Sequence, residues 1–425
     1  MPLRRGPALP IAFHYRDFRL LWLGQLISVL GSQMQMVALN WHIWQLTHEP
    51  IYLGALGLAR LAPIIIFSLV GGVMADATDR KRLMQMTQTA MALVAAGLAA
   101  LTFAGVITVW WVFALSALAA AAGAFDTPAR QSLVPRLVAR EHLPNALSVY
   151  TTMFQVAAIV GPALAGLLLP AGLFGLIYLL NALSFVAVIV ALALLRVDTA
   201  PRPGEAQPVS LAAALEGLRY VWSAPIIRST MLLDFFATFF SSANQLLPVI
   251  ADVVLHVDAT WYALLYSAAS AGALAAGTVM SMLGTIRRQG KLLLWAVAAY
   301  GVATVIFGFS HWPVLSWLAL AGTGAADTVS TVLRNTIRQL ATPDQLRGRM
   351  TSVNMIFFMG GPQLGEFEAA TVAQVLGAPF SVISGGIGCL LLTAWIAAKS
   401  PFLRGYRGEP AAVLSGPAST AGAAE

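Results

Sequence analysis

Charge and cysteine are both scarce in this 425-residue chain. Charged residues make up 10% of it and hydrophobic ones 58%, whereas ordinary soluble proteins carry about 25% charged residues. A water-soluble fold of this composition would lack the polar surface to cover itself, which excludes that class. The single cysteine, Cys389, lies in an apolar stretch, so neither a disulfide framework nor a cysteine metal cluster is expected. The six histidines (His14, His42, His48, His142, His256 and His311) never recur three or four residues apart, which argues against a metal site. No Walker loop is present, because the nearest glycine pattern, Gly322-Thr323-Gly324, sits inside an apolar span and not after a strand. ATP is therefore not the expected energy source. With no Gly-x-Ser-x-Gly elbow either, no catalytic residue or cofactor is assigned and an enzyme is not expected. The net charge of +7 comes without a long basic run, which argues against nucleic acid as a partner.

Long apolar runs are what the chain has in quantity. A helix needs about 20 apolar residues to cross a bilayer. Twelve spans fit, at 20–46, 51–74, 84–105, 109–131, 146–169, 172–195, 226–251, 260–283, 291–309, 312–338, 351–376 and 380–398. This predicts an all-α membrane protein: an arm at 1–14, six helices within 15–195, a linker at 196–225, six more within 226–400, and a disordered tail at 401–425 whose end is Ala-, Gly-, Ser- and Pro-rich. Within the linker, Leu211, Leu215, Leu218 and Trp222 recur at helical spacing opposite Glu216 and Arg219, the pattern of a helix lying on the membrane surface.

Charge orients the spans. The connections at 47–50, 105–109, 170–171, 253–259, 310–312 and 377–379 hold none of the 25 Lys and Arg. The opposite side holds all of them except Arg60, so both termini are expected on the cytoplasmic side of a membrane that the chain crosses repeatedly. The halves also repeat. A shift of 204 residues pairs Arg130 with Arg334, Ser148 with Ser352, Phe154 with Phe358 and Gly161 with Gly365; a shift of 210 pairs Ser28 with Thr238 and Gln35 with Gln245. Two pseudo-symmetric six-helix bundles follow, as in many transporters.

Polar groups inside spans are costly and by default functional. The first span sets Gln25, Ser28, Ser32, Gln35 and His42 within an arc of about 100°, and the seventh sets Asp234, Thr238, Ser241 and Gln245 within about 60°, counting 100° per residue along a continuous helix. Two readings fit: interhelical hydrogen-bonding glue, or two stripes lining one aqueous cavity and contacting substrate. The tenth span carries Asp327, Thr331, Arg334 and Arg338 on one face, and the fourth carries Asp126 four residues before Arg130, a favourable intrahelical pair. These approach the inner rim, where a structural ion pair is expected, with Asp327 the deeper acid. On the eleventh span Glu366 and Glu368 point about 200° apart at 100° per residue. Glu366 sits about 15 Å from the outer end of its span and Arg60 about 14 Å from the outer end of its own, so either glutamate could pair with Arg60. A glutamate that titrates as Arg60 leaves it would couple transport to protons.

Five stretches carry a family resemblance. The loop Gly72-Val73-Met74-Ala75-Asp76-Ala77-Thr78-Asp79-Arg80-Lys81 resembles the signature between helices 2 and 3 of the major facilitator superfamily, with Ala77 and Asp79 departing from it. Gly161-Pro162-Ala163-Leu164-Ala165-Gly166 resembles the signature of facilitator antiporters and drug exporters. Together with Phe18 to Gln25, Phe125 to Gln131 and Gln363 to Glu368, the chain from Phe13 to Ser400 is similar to the bacterial enterobactin-exporter-like group. The resemblance implies two bundles rocking about a central site, with Asp76 holding an inner gate against the eleventh helix near Thr351 and Ser352. A monomer is expected that exports a small molecule such as a siderophore or drug against proton entry. Nutrient uptake, lipid flipping and a non-transporting membrane scaffold are the alternatives.

Overall fold

Backbone that cannot bond to water must satisfy itself, and in an apolar chain it does so as helix. The computed structural model describes residues 10–197, 199, 218–241, 244–283, 286–343 and 346–408, and among them it holds helices and no strand. Twelve helices are long. In the first half they are α1 (Arg16–Thr47), α2 (Pro50–Ala77), α3 (Arg80–Phe103), α4 (Val109–Leu133), α5 (Leu143–Leu168) and α6 (Phe174–Leu194). In the second they are α7 (Pro225–Phe240), α8 (Ala259–Met282), α9 (Gln289–Phe309), α10 (Pro313–Ala341), α11 (Arg347–Leu376) and α12 (Ala378–Lys399). Pro50, Pro225 and Pro313 each occupy the first helical position, where a missing N–H costs nothing. Gly377, at φ 88°, makes the turn between α11 and α12.

Among the described residues, nine helices are long and apolar enough to cross a membrane on their own composition. The three that fall short are α7, α10 and α11, and these carry Asp234, Asp327 and Glu366. Ionisable groups are tolerated in such helices where they turn inward to partners.

The seventh span departs from expectation. It is not one helix: α7 ends at Phe240, Ser241 turns, and the chain resumes as a 3-10 turn (Asn244–Leu246), one α-turn (Leu247–Val249) and a π-turn (Ile250–Val254). Pro248 has no N–H to offer the carbonyl of Asn244, which removes the α-bond that would carry the helix through. Gln245 therefore does not continue the face of Asp234, Thr238 and Ser241. The tail also departs. Pro401–Gly405 forms a short helix, α13, with Leu403 and Tyr406 buried against the start of α9, where the Gly290 N–H donates to the Tyr406 carbonyl at 3.3 Å. The surface helix expected around Leu211 and Leu215 and the tail at 409–425 lie outside the described residues.

The chain clusters into two compact units, one of Met1–Pro208 with Gln245–Ser267, the other of Val209–Asn244 with Ala268–Glu425. In the first unit α1 lies against α6 and α5, and Phe18, Leu21, Met84, Leu133 and Leu192 form its core. In the second, α9 lies against α10 and α12, around Leu233, Leu293, Val297, Ile337 and Cys389. Gly161 and Gly365 occupy matching places in the two. A Cβ on Gly161 would lie 2.5 Å from Cβ of Gln33 on α1, and one on Gly365 would run into the main chain of Phe239 on α7. Small residues at these points are what let α5 reach α1 and α11 reach α7.

Candidate functional site

In the second unit a buried ion cluster joins α7 to α10. Arg334 Nη1 lies 2.9 Å from Oδ1 of Asp234, and Arg338 Nη2 lies 3.0 Å from Oδ2, with all three side chains 3% exposed. Arg338 donates further to Thr230 Oγ1 at 3.3 Å, to the Thr230 carbonyl at 3.1 Å and to Asn354 Oδ1 on α11. Arg334 Nη2 donates to Thr331 Oγ1 at 2.7 Å and reaches Asp327 Oδ1 at 3.4 Å. The expected face of Asp327, Thr331, Arg334 and Arg338 is thus assembled, but Asp234 is its hub. Buried guanidinium groups need their donors satisfied as well as their charge, and here five acceptor residues from three helices contribute to that. Arg334, Asn335, Arg338 and Asn354 also bound a cavity of about 200 Å³ beside Asp234.

A second cavity of about 200 Å³ lies entirely within this unit. Asp327 of α10 and Glu366 of α11 both line it; so do Thr238 and Ser241 at the end of α7, Asn244, and Tyr300 and Thr304 of α9. Phe307, Leu320 and Pro362 supply apolar wall. Glu368 is not among the lining residues, in keeping with the angle separating it from Glu366. Tyr300, Thr304 and Thr323 were not anticipated. Their signal was present, since Tyr300 and Thr304 stand four residues apart inside an apolar span.

In the first unit the matching pair is looser. Arg130 Nη1 lies 3.8 Å from Asp126 Oδ2, donates to Gln25 Oε1 at 3.1 Å and sits 5.4 Å from the Phe154 ring centroid. Asp126 Oδ1 accepts from Thr87 Oγ1 at 3.0 Å and Gln88 Nε2 at 2.9 Å. Ser28 is buried on α1. The rest of the α1 stripe turns to α6. Asn181 Nδ2 donates to Gln35 Oε1 at 2.7 Å, Ser32 Oγ donates to Asn181 Oδ1 at 3.5 Å, and His42 Nδ1 lies 3.0 Å from the Tyr178 hydroxyl. These are bonds between helices of one bundle, the kind that holds spans together. Arg60 points an N–H at the Met36 sulfur on α1. Gln245 is buried in this unit, and so belongs to a different cluster from Asp234, Thr238 and Ser241.

The charged loop caps helices. Asp79 is the N-cap of α3, accepting from the N–H of Lys81 at 2.9 Å and of Arg82 at 3.3 Å, and from Thr199 Oγ1 at 2.6 Å. Partial burial raises its carboxyl, but those hydrogen bonds and the Arg82 charge outweigh burial and hold it below the ordinary carboxylate range. Lys81 Nζ reaches the Ala193 and Leu195 carbonyls, both at 3.2 Å, at the C-terminal end of α6, where a cation is favoured. Arg80 is buried, with Nε donating to Ser132 Oγ at 3.1 Å. Gly72 and Asp76 lie on α2; the side chains of Asp76 and Ser352 fall outside the described residues. Asp17, unremarked in the sequence, accepts the N–H groups of Arg196 and Val197, both at 3.0 Å, beyond the same end of α6.

Comparison with known proteins gives one answer. A family model described as transmembrane secretion effector matches residues 9–409. The enterobactin exporter EntS of Escherichia coli O81 (strain ED1a) is 24% identical over 398 residues, 94% of this chain and 95% of that protein. Among solved structures, a POT family transporter in complex with 5-aminolevulinic acid superposes with a TM-score of 0.73 at 12% identity, over 91% of this chain and 96% of that one. A bacterial homolog of the human lysosomal transporter Spinster gives 0.71 at 13% identity, over 93% and 98%. At such identities the structures speak to fold alone.

Proposed function

Since this chain belongs to the transmembrane secretion effector family of the major facilitator superfamily, which transports and does not catalyse, we propose that it is a secondary active exporter of a small molecule such as a siderophore or drug, driven by proton entry. It is a multi-pass protein of the bacterial inner membrane. Its end-to-end similarity to an enterobactin exporter is the observation that carries the export reading. The carboxyls of Asp327 and Glu366, facing one cavity inside an apolar bundle, support proton coupling. On this reading the protein works as a monomer with both termini cytoplasmic, its bundles at 15–195 and 226–400. Gating then falls to the Asp76 loop with Asp79, Arg80 and Lys81, to the Gly161-Pro162 face and to the Asp126–Arg130 and Arg334 clusters. Gln25 and Ser28 of the first unit and Thr238 and Ser241 of the second contact substrate. Arg60 pairs with Glu366 or Glu368 at one stage of the cycle.

The test compares efflux of siderophores and cationic or anionic dyes from overexpressing and deletion cells, with and without an uncoupler. Uncoupler-sensitive efflux that falls at least tenfold in Glu366→Gln or Asp327→Asn is expected. Efflux indifferent to the uncoupler would remove proton coupling, and equal retention in both strains would remove export.

A further inference from the structure

Apart from the Asn244 carboxamide and the Ser241 hydroxyl, the polar groups lining the cavity in the second unit are acceptors. Its two acids, Asp327 and Glu366, accept when charged; Arg334 reaches Asp327 at 3.4 Å, but no Lys, Arg or His lines the cavity itself. Four of its five hydroxyls have already given away their protons. The Tyr300 hydroxyl donates to the Ser241 carbonyl at 3.2 Å, and Thr304 Oγ1 to the Tyr300 carbonyl at 2.9 Å. Thr323 Oγ1 donates to the Leu320 carbonyl at 2.6 Å, and Thr238 Oγ1 to the Asp234 carbonyl at 2.8 Å. Each such hydroxyl offers the cavity lone pairs only. An anion placed here would meet no charged donor, whereas an ammonium group, three donors and no acceptor, matches the lining.

Two further features point to an occupant. The Ser241 hydroxyl is 95% buried and lacks a hydrogen-bond partner apart from the weakly bonding thiol of Cys389. A buried hydroxyl left in that state is costly unless something fills the site. Tyr300 and Phe307 also line the cavity, and aromatic faces attract cations. The volume, about 200 Å³, holds an amine head with a small apolar body and not a whole drug.

We infer that this cavity is a binding site for a protonated amine, so that the compound handled by the protein carries a compact organic cation. What the site serves rests on the transport reading above; occupancy does not, and is measured without flux.

Full-length protein in lipid nanodiscs is titrated with benzylamine, benzyl alcohol and benzoate, which share a ring and differ in charge, with affinity read by calorimetry and by the shift in melting temperature. Benzylamine is expected to bind saturably and at least tenfold more tightly than the other two. Asp327→Asn and Glu366→Gln are each expected to weaken it tenfold or more. Where a carboxamide variant melts early without ligand, Thr304→Val and Thr323→Val, which remove acceptors and no charge, should still weaken benzylamine a few-fold. Benzoate binding as tightly as benzylamine, or benzylamine affinity unchanged in the carboxamide and valine variants, overturns the site. Saturable amine binding in a protein that moves no substrate would sustain the site and sink the transport reading; efflux without amine binding would do the reverse.

Discussion

At the scale of single residues, Asp234 has the largest expected effect. It pairs with both Arg334 and Arg338, at 2.9 and 3.0 Å, with all three side chains buried. Breaking a buried pair from one side costs about 3–5 kcal/mol because the other charge stays behind, and here two stay. Asp234→Asn is therefore expected to lower the melting temperature of purified protein far more than Asp126→Asn, whose partner Arg130 is 3.8 Å away and 18% exposed. Equal losses would mean that Asp234 is not the hub. Asp79 gives a pH test. Its folded carboxyl is held below the usual value of 3.8, so its contribution is complete above that value and disappears as pH falls through the depressed one. Hydrogen exchange at the Lys81 and Arg82 amides should differ between wild type and Asp79→Asn at neutral pH and converge once pH drops well below 3.8. A difference persisting in strong acid would contradict the cap.

At the scale of elements, the contacts of α5 on α1 and of α11 on α7 rest on absent side chains. Gly161→Leu and Gly365→Leu are each expected to cost at least about 1–3 kcal/mol by overpacking. Gly123→Ala on α4, with nothing within 4 Å of the added carbon, should be neutral or slightly stabilising. Melting temperatures of the three variants decide this. Eleven of the spans are single long helices where apolar length placed them, and nine of these are apolar enough for hydropathy alone to report the length a bilayer sets. The seventh is not, and hydropathy is blind to whether a helix is α, 3-10 or π. Only Pro248 and the polar residues before it mark where α7 gives way. The same contrast holds in the site. Asp126–Arg130 and Asp327–Arg334 are on one helix each, and spacing finds them. Asp234 and Arg338 stand 104 residues apart, and no local pattern can join them. The α1 stripe was visible as polarity, but its partners Asn181 and Tyr178 on α6 decide its meaning, and a single strand of text does not hold that pairing.

At the scale of the whole molecule, the sorting of cations predicts topology. Cysteines placed at Arg82 and Val106, both exposed, should respond oppositely to a membrane-impermeant maleimide on intact cells, with Val106→Cys labelled and Arg82→Cys silent until the membrane is opened. Labelling at Arg82 from outside would invert the cytoplasmic assignment and with it the direction of every gradient invoked above. The native thiol makes such work clean. Cys389 is fully buried among α9 and α12, its sulfur 3.8 Å from the Val297 carbonyl. Pairs of spin labels or fluorophores can therefore be introduced on the unaltered chain, and distances between its two halves followed through a turnover without first engineering a cysteine-free background.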